Sequence, residues 1–241
     1  MAALSAVLLL RGISPFAVIV GAAIAGVVLF RDVGIAASSV LDGGPIRSVL
    51  KQVTLLVLFL IAGLAALYFL DGKLFVLSAL MLKINLFAFG GGFSSIPLIF
   101  HEIVRVKGWM DSKTLMDGMA LGQVTPGPIV ITATFIGYLL FGFTGAIIAT
   151  IAMFTPSFLV LLVAAPYFDR LKSSALFSGA SKAIVASFVG LLLFVTLRFA
   201  ADVPWDLTRV LLGLTALIAL FRKVDILYVV LVGAVISILL F

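Results

Sequence analysis

The sequence contains no cysteine and a single histidine, His101, among its 241 residues. Disulfides and thiolate ligands are therefore excluded, and one histidine cannot build a metal site by itself. Charged residues make up only 11% of the chain, against about a quarter in soluble domains. Hydrophobic residues make up 64%, and the mean hydropathy is +1.37. These values predict an all-α integral membrane protein in the lipid bilayer, with no metal, no cofactor and no nucleic-acid partner.

Motifs of several enzyme classes are also missing. No phosphate-binding loop of the G-x-x-x-x-G-K-[ST] type occurs, so ATP hydrolysis is not expected to drive the protein. The chain likewise lacks an H-E-x-x-H pair, a serine dyad and paired membrane aspartates. We therefore predict that it is not an enzyme. The apolar start, Met1 to Leu10, lacks the charged region and cleavage site of a signal peptide and is taken as mature sequence.

Apolar runs long enough to cross a bilayer core of about 30 Å occur along most of the chain. They predict a polytopic transmembrane helical bundle with spans at residues 13–30, 49–70, 73–90, 126–141, 144–165, 182–199, 206–221 and 224–241. Alternating the loops places eleven basic residues on one side, namely Arg31, Arg47, Lys51, Arg105, Lys107, Lys113, Arg170, Lys172, Lys182, Arg222 and Lys223. The other side receives four, namely Arg11, Lys73, Arg198 and Arg209. Because cytoplasmic loops are rich in Lys and Arg, the first side is predicted to be cytoplasmic and the C-terminus to lie outside.

The two ends of the chain resemble each other weakly. Residues 8–30 align with residues 218–241 after one gap, and in the predicted topology the two segments cross in opposite directions. This pattern is typical of the inverted-topology repeats of secondary transporters, although any two apolar helices share some likeness. The interpretation divides the chain into a remnant of a truncated first repeat (1–30), a linker loop (31–48) and a main membrane domain (49–241).

The segment F-A-F-G-G-G-F, residues 87–93, interrupts a hydrophobic span. Three successive glycines, Gly90, Gly91 and Gly92, each cost about 1 kcal/mol relative to alanine in a helix, so the helix should break there. Pro97 suits the first turn of a new helix, whose N-terminus would form an anion site within the membrane. The alternative is that the glycines only let helices pack closely.

Lys83 lies near the predicted bilayer centre, where a charge costs at least about 2.5 kcal/mol and is normally paired or in contact with water. We predict that it attracts an anionic substrate, although its long stem could instead reach an interface. Asn85 is also a predicted substrate ligand. It lies on a different helical face, so both could hold one ligand only if the helix unwinds.

Glu102 follows the predicted break in the stretch I-F-H-E-I-V-R-V-K-G-W. It is expected either to pair with Arg105 three residues later or to act as a gate or a site for a coupled proton. His101 is assigned the same gating or proton role, with a place in the headgroup region as the alternative. Trp109 is predicted to be an interfacial anchor.

Residues 112–124 carry Leu115, Met119 and Gly122 on one stripe, which predicts a short amphipathic or re-entrant helix packed against a partner. The helix leads into T-P-G-P, which removes two backbone donors and leaves carbonyls unpaired. Neutral donors suited to a tetrahedral oxyanion surround this turn. The predicted substrate-binding residues here are Gln123, Thr125, Pro126, Gly127, Pro128, Thr132 and Thr134. The alternative is helix punctuation, with the threonines bonded to the preceding turn.

The order FGGGF, HE, GWM, MDG, ALGQVTPGPIVITATFIGY, TPSF and APYFDRL resembles the chromate transporter family between Lys83 and Leu193. The chain is similar to the second half of a long, two-domain member. The resemblance implies secondary transport across the plasma (inner) membrane, exporting chromate, with sulfate as an analogue, and conferring chromate resistance. A complete first half with its own FGG and PGP segments is missing. The alternative is therefore a channel-like or inactive subunit that needs a complementary half or a homodimer partner.

Overall fold

The computed structural model describes residues 1–29, 46–89, 92–125, 128–165, 168 and 174–240. All regular structure within these ranges is helical, which confirms the predicted all-α fold. The α-helices are α1 Ala2–Leu10, α2 Pro15–Leu29, α3 Ile46–Leu70, α4 Gly72–Phe87, α5 Ser95–Ile99, α6 Ser112–Val124, α7 Thr132–Ala164, α8 Ala175–Asp202, α9 Leu207–Phe221 and α10 Ile226–Leu240. Short 3₁₀ turns cover Gly92–Ser94 and Ile129–Ile131, and a π-helix covers Phe100–Val106. Three helical segments are long and apolar enough to cross a membrane: Lys51–Leu70, Ile129–Ala164 and Leu176–Asp202.

Helix α7 is a hairpin with two antiparallel arms. Its backbone leaves the helical region at Phe141 and Gly142, where Gly142 adopts a φ of +62° that favours glycine. The hydroxyl oxygens of Thr134 and Thr150 lie 2.7 Å apart, whereas 16 residues of straight helix would separate them by about 24 Å. The apolar stretch 129–164 therefore forms two arms, divided where the predicted spans 126–141 and 144–165 are divided.

Small residues let the two arms of α7 approach closely. A Cβ added to Gly137 would overlap the carbonyl oxygen of Gly145. Helix α6 packs on the first arm in the same way, because a Cβ on Gly118 would overlap the ring of Phe135. Leu115 and Gly122 are also buried, which confirms the predicted packing helix at 112–124.

The N-terminal helices pack on the rest of the protein through α8. A Cβ on Gly26 of α2 would lie 2.5 Å from the Cβ of Ala183. Gly190 makes a similarly close contact with the backbone of Ala2 in α1. Glycines at both crossings bring the backbones within van der Waals contact, which is how helices associate in lipid. Most of the predicted linker 31–48, namely residues 31–45, lies outside the described residues, and the division into repeat remnant, linker and main domain stays a prediction.

Aspartates begin several helices by accepting hydrogen bonds from backbone N–H groups. The Asp71 carboxylate accepts from Lys73 at 2.9 Å, and the Asp206 carboxylate accepts from Arg209 at 2.7 Å. The Asp111 carboxylate accepts from the backbone N–H of Thr114 at 2.8 Å, and hydrogen bonds from Thr114 lower the pKa of this exposed carboxyl below its ordinary value. Helices α4, α6 and α9 therefore start at defined residues.

Residues 92–124 also form a hairpin, and this corrects the predicted topology. The ring of Trp109 lies 6.3 Å from the ring of Phe141 at the α7 turn. Lys113 lines a crevice with Trp205 at the start of α9, and Arg105 lines another with Gly12 between α1 and α2. We call the end of the bundle that holds these contacts the Gly142 end.

The charge pattern placed Arg105, Lys107 and Lys113 on the opposite side from Gly142, and this placement is wrong. Moving the three residues changes the tally from eleven against four to eight against seven. A difference of one does not orient a protein by the positive-inside rule. The assignment of the cytoplasmic side, and of the C-terminus to the outside, thereby loses its support and stays a prediction.

Candidate functional site

Both predicted helix breaks occur. Helix α4 ends at Phe87 and the next helical turn starts at Gly92, whereas α6 ends at Val124 and the next turn starts at Ile129. Four of the predicted site residues, Gly90, Gly91, Pro126 and Gly127, lie outside the described residues. The flanking helices therefore define the site.

The two breaks are in direct contact. A Cβ added to Gly92 would lie 2.6 Å from Cγ2 of Ile129, so only glycine fits against this neighbour without a shift. Near the end of α6, Gly122 packs against Ile131 and Thr132, which follow the second break. The glycine cluster was predicted either to break the helix or to allow close packing. Gly92 does both, because it follows the break and packs against Ile129.

The contact between the breaks lies near the middle of the α7 hairpin. Because Thr134 faces Thr150 across the turn, Ile129 is level with about residue 155. Residues 129–140 extend about 18 Å from the turn, whereas the second arm, 143–164, extends about 33 Å. A bilayer core is about 30 Å thick, so the two breaks meet close to mid-depth.

Two helix N-termini start at this contact, one at Gly92 and one at Ile129. The first N–H groups of a helix have no acceptor within it, and the aligned peptide dipoles give this end a partial positive charge. Some hydroxyls near the contact are already engaged: Ser95 donates to the Gly92 carbonyl at 2.6 Å, and Thr132 donates to the Ile129 carbonyl at 2.8 Å. The arrangement is suited to an anion.

Lys83 and Glu102 form an ion pair beside the breaks. Lys83 Nζ lies 2.6 Å from Glu102 Oε1, so the helix after Gly92 folds back along α4. The Glu102 side chain is 7% exposed and the Lys83 side chain 47%. The interpretation that Glu102 pairs with Arg105 is wrong, because its ion-pair partner is Lys83.

An aromatic ring from the N-terminal helices covers the ammonium group. Lys83 Nζ lies 4.1 Å from the centroid of the Phe16 ring, which is within cation–π range. The same ring makes edge contacts with Phe87 and with His101 at centroid distances of 5.2 and 6.3 Å. Helix α2 therefore contributes directly to the surroundings of the ion pair.

Asn85 faces away from Lys83, as their spacing predicted for an intact helix. Its side-chain oxygen accepts hydrogen bonds from the backbone N–H of Ser157 at 3.0 Å and from the Ser157 hydroxyl at 2.7 Å. Ser157 follows Pro156, which lacks an N–H and so removes one backbone hydrogen bond from the second arm of α7. Asn85 and Ser157 also line a groove of about 590 Å³ with Ala88 and Phe89. Asn85 thus joins α4 to α7, and its role as a substrate ligand stays a prediction.

The threonines near the second break are bonded within the protein. The hydroxyl of Thr125 donates to the Gly122 carbonyl at 3.1 Å, Thr132 bonds to Ile129, and Thr134 bonds to Thr150. The first two contacts are the bonds to the preceding turn that formed the alternative interpretation. Gln123 is half-buried, and its amide makes no hydrogen bond to another described residue. Gln123 is therefore the more available donor.

The chain matches a known protein family over most of its length. The family model described as Chromate transporter matches residues 75–238. The chain belongs to the chromate transporter family. The matched range extends beyond both limits of the resemblance seen in the sequence, and it includes both breaks and the Lys83–Glu102 pair.

Three relatives show how far the similarity extends. An uncharacterized transporter of Methanocaldococcus jannaschii is 51% identical over 174 residues, which cover 72% of this chain and 43% of that protein. A chromate transport protein of Cupriavidus metallidurans is 33% identical over 147 residues, covering 59% of this chain and 36% of that protein. An uncharacterized transporter of Bacillus subtilis is 32% identical over 138 residues, covering 55% of this chain and 78% of that protein. The chain thus spans less than half the length of the first two relatives. No solved structure matches it.

Sequence reasoning missed the partners of the predicted residues. Phe16 is one phenylalanine in an apolar helix, before the family match begins, and nothing in its spacing marks it. Ser157 stands in the sequence only as part of the motif TPSF, yet it binds Asn85 across 72 residues. A polar residue directly after a proline, opposite an asparagine in another apolar span, is the signal that could have suggested this contact.

Proposed function

We propose that the chain is a secondary transporter that exports chromate, or a closely related tetrahedral oxyanion such as sulfate, across the plasma (inner) membrane and confers chromate resistance. The contact between Gly92 and Ile129 is the observation that carries this proposal. It brings two helix N-termini together near mid-depth, where an oxyanion would otherwise have no compensating charge. The predicted ligands around the breaks, including the four that lie outside the described residues, belong to the same proposal.

Lys83 gives the site a means of exchange. Glu102 neutralises the ammonium group of Lys83 at 2.6 Å. An oxyanion that forms an ion pair with Lys83 leaves the buried Glu102 carboxylate without its partner. Such a carboxylate is stabilised by binding a proton. The other charged or titratable neighbours, His101 and Arg105, lie on the same helical segment as Glu102. Glu102 would then carry one proton for each anion held by Lys83.

The direction of transport follows from the charge that moves. A dianion accompanied by one proton carries one net negative charge. An inside-negative potential of 100 mV favours its exit by about 2.3 kcal/mol. Export therefore needs no ATP under this scheme.

The similarity to a relative named as a chromate transport protein supports the proposed substrate. Because this chain spans 36% of that protein's length, we further propose that it works with a complementary half or with a second copy of itself. A channel-like subunit that needs such a partner remains the second candidate. The bonds of Thr125, Thr132 and Thr134 within the protein favour it, since hydroxyls that are already engaged are less available to hold a substrate.

Purified protein in liposomes tests the proposal. Chromate flux should saturate with concentration, and sulfate should compete with it. Lys83→Ala or Pro126→Ala should abolish flux while the protein still inserts, and protein-free liposomes serve as the control. A flux that rises linearly with chromate concentration and ignores sulfate would favour the channel-like subunit, and unchanged flux in both variants would exclude the proposed site.

A further inference from the structure

A cavity of about 220 Å³ lies at the Gly142 end, next to the ion pair but separate from the helix breaks. Three parts of the chain enclose it: the turn after α1, the helix that contains Glu102, and α8. Its wall includes Gly12, Pro15, Phe100, His101, Arg105 and Phe194. Part of the wall therefore comes from the N-terminal helices, which the family match at 75–238 does not include.

The titratable side chains that line this cavity are both basic. His101 and Arg105 are its titratable side chains, and none of its described lining residues carries a carboxylate. The Arg105 guanidinium lies 5.7 Å from the centroid of the Phe100 ring and forms no ion pair with another described residue. A guanidinium presents a planar fork of donors that fits two oxygens of a sulfate-like group, and a neutral imidazole adds one N–H.

The cavity is connected to the ion pair by direct contacts. His101 precedes Glu102, and the Phe16 ring touches both the His101 ring and the ammonium group of Lys83. A solute in the cavity is thus one side chain away from the cation that the proposed function uses.

We propose that this cavity is a second binding site for a tetrahedral oxyanion, in which Arg105 and His101 hold the ion before or after it occupies Lys83. The inference rests on the proposed function and adds an access site at the Gly142 end. Arg105 supplies the charge and the bidentate hydrogen bonds, while His101 orients the ion towards Phe16. The N-terminal turn at Gly12 closes the site.

Equilibrium binding of radiolabelled sulfate to the purified chain in detergent tests the second site directly. Sulfate is a suitable probe because it stays a dianion across the working pH range. The wild-type chain should bind two sulfates and Arg105→Gln one, whereas Arg105→Lys should keep both with weaker affinity at one. Lys107→Gln is the matched control, because Lys107 carries the same charge two residues later and lies over Trp109 instead, at 5.9 Å. In liposomes, Arg105→Gln should raise the chromate KM about tenfold or more, as expected for the loss of a charge-assisted hydrogen bond, and Lys107→Gln should not.

The outcomes separate the two proposals. If the wild type binds one sulfate and transports normally, the second site is overturned and the proposed function is intact. If it binds two sulfates but does not transport, the second site is supported and the proposed function is overturned. A lipid phosphate presents the same oxygens, so binding is repeated with added phosphatidylglycerol. Unchanged sulfate binding supports a free oxyanion, and loss of only the Arg105-dependent sulfate would overturn the inference in favour of a lipid headgroup.

Discussion

Glu102 reaches Lys83 across 19 residues and a helix break, with 2.6 Å between Oε1 and Nζ. The two partners differ in burial, since the carboxylate side chain is nearly enclosed and the lysine side chain is about half exposed. The two single substitutions therefore leave their remaining partners in different surroundings. Removing the lysine strands a buried charge, whereas removing the carboxylate leaves a cation that water can reach.

This inequality predicts different costs for the two single substitutions. Lys83→Met should lower the free energy of unfolding by about 2 kcal/mol, less than the ~3–5 kcal/mol of a fully buried pair because Lys83 is partly solvated. Glu102→Gln should cost clearly less. The double variant Lys83→Met with Glu102→Gln should recover stability but not transport. Denaturant unfolding in detergent measures all three, and an equal or reversed order of the single variants would contradict the unequal pair.

The hydrogen bonds between Asn85 and Ser157 predict a structural role that can be separated from substrate binding. Asn85→Leu leaves the Ser157 N–H without a partner and should cost about 1–3 kcal/mol, while Ser157→Ala removes one hydroxyl and should cost about 1 kcal/mol. Thermal unfolding measures the loss. Thr215→Val is the control, because its exposed hydroxyl bonds only within α9. A variant Asn85→Leu of normal stability but with a raised chromate KM would instead indicate a direct ligand.

The helix breaks could be predicted because glycine and proline act locally. In the sequence, three glycines follow shortly after the end of α4 and T-P-G-P follows the end of α6, and both patterns disfavour a helix whatever surrounds them. The α7 turn was predictable for the same reason, since Gly137, Gly142 and Gly145 permit both the positive φ and the close approach of the arms. The partners of Lys83 and Asn85 could not be predicted, because the contacts with Glu102 and Ser157 depend on how distant helices pack.

The reversal of residues 92–124 escaped prediction for a related reason. His101, Glu102, Arg105 and Lys107 lower the hydropathy of the stretch, so it resembles a loop. In the folded chain Glu102 is paired and Arg105 faces a cavity, so the charges do not prevent the segment from lying within the bundle. Hydropathy measures single residues and does not detect such pairing.

The corrected topology makes a prediction about sidedness. The chain has no native cysteine, so a single introduced cysteine is a unique label. Lys107→Cys and Trp205→Cys should react with a membrane-impermeant maleimide from the same side of sealed vesicles, and Arg222→Cys from the other. Labelling of Lys107→Cys from the same side as Arg222→Cys would contradict the hairpin and support the arrangement that the charge pattern predicted.

The central claim is that an oxyanion passes where the two helix breaks touch, and Gly92 is the residue that permits this contact. A methyl group at this position overlaps Ile129, whereas one at Gly63 of α3 meets no atom within 4 Å. Overpacking of this kind costs about 1–3 kcal/mol where neighbours cannot move. Chromate flux into liposomes is therefore the most direct measurement. We predict that Gly92→Ala lowers the initial rate about tenfold or more, that Gly63→Ala leaves it unchanged, and that Ile129→Ala restores most of the rate to Gly92→Ala. Equal flux through Gly92→Ala and Gly63→Ala would contradict the account.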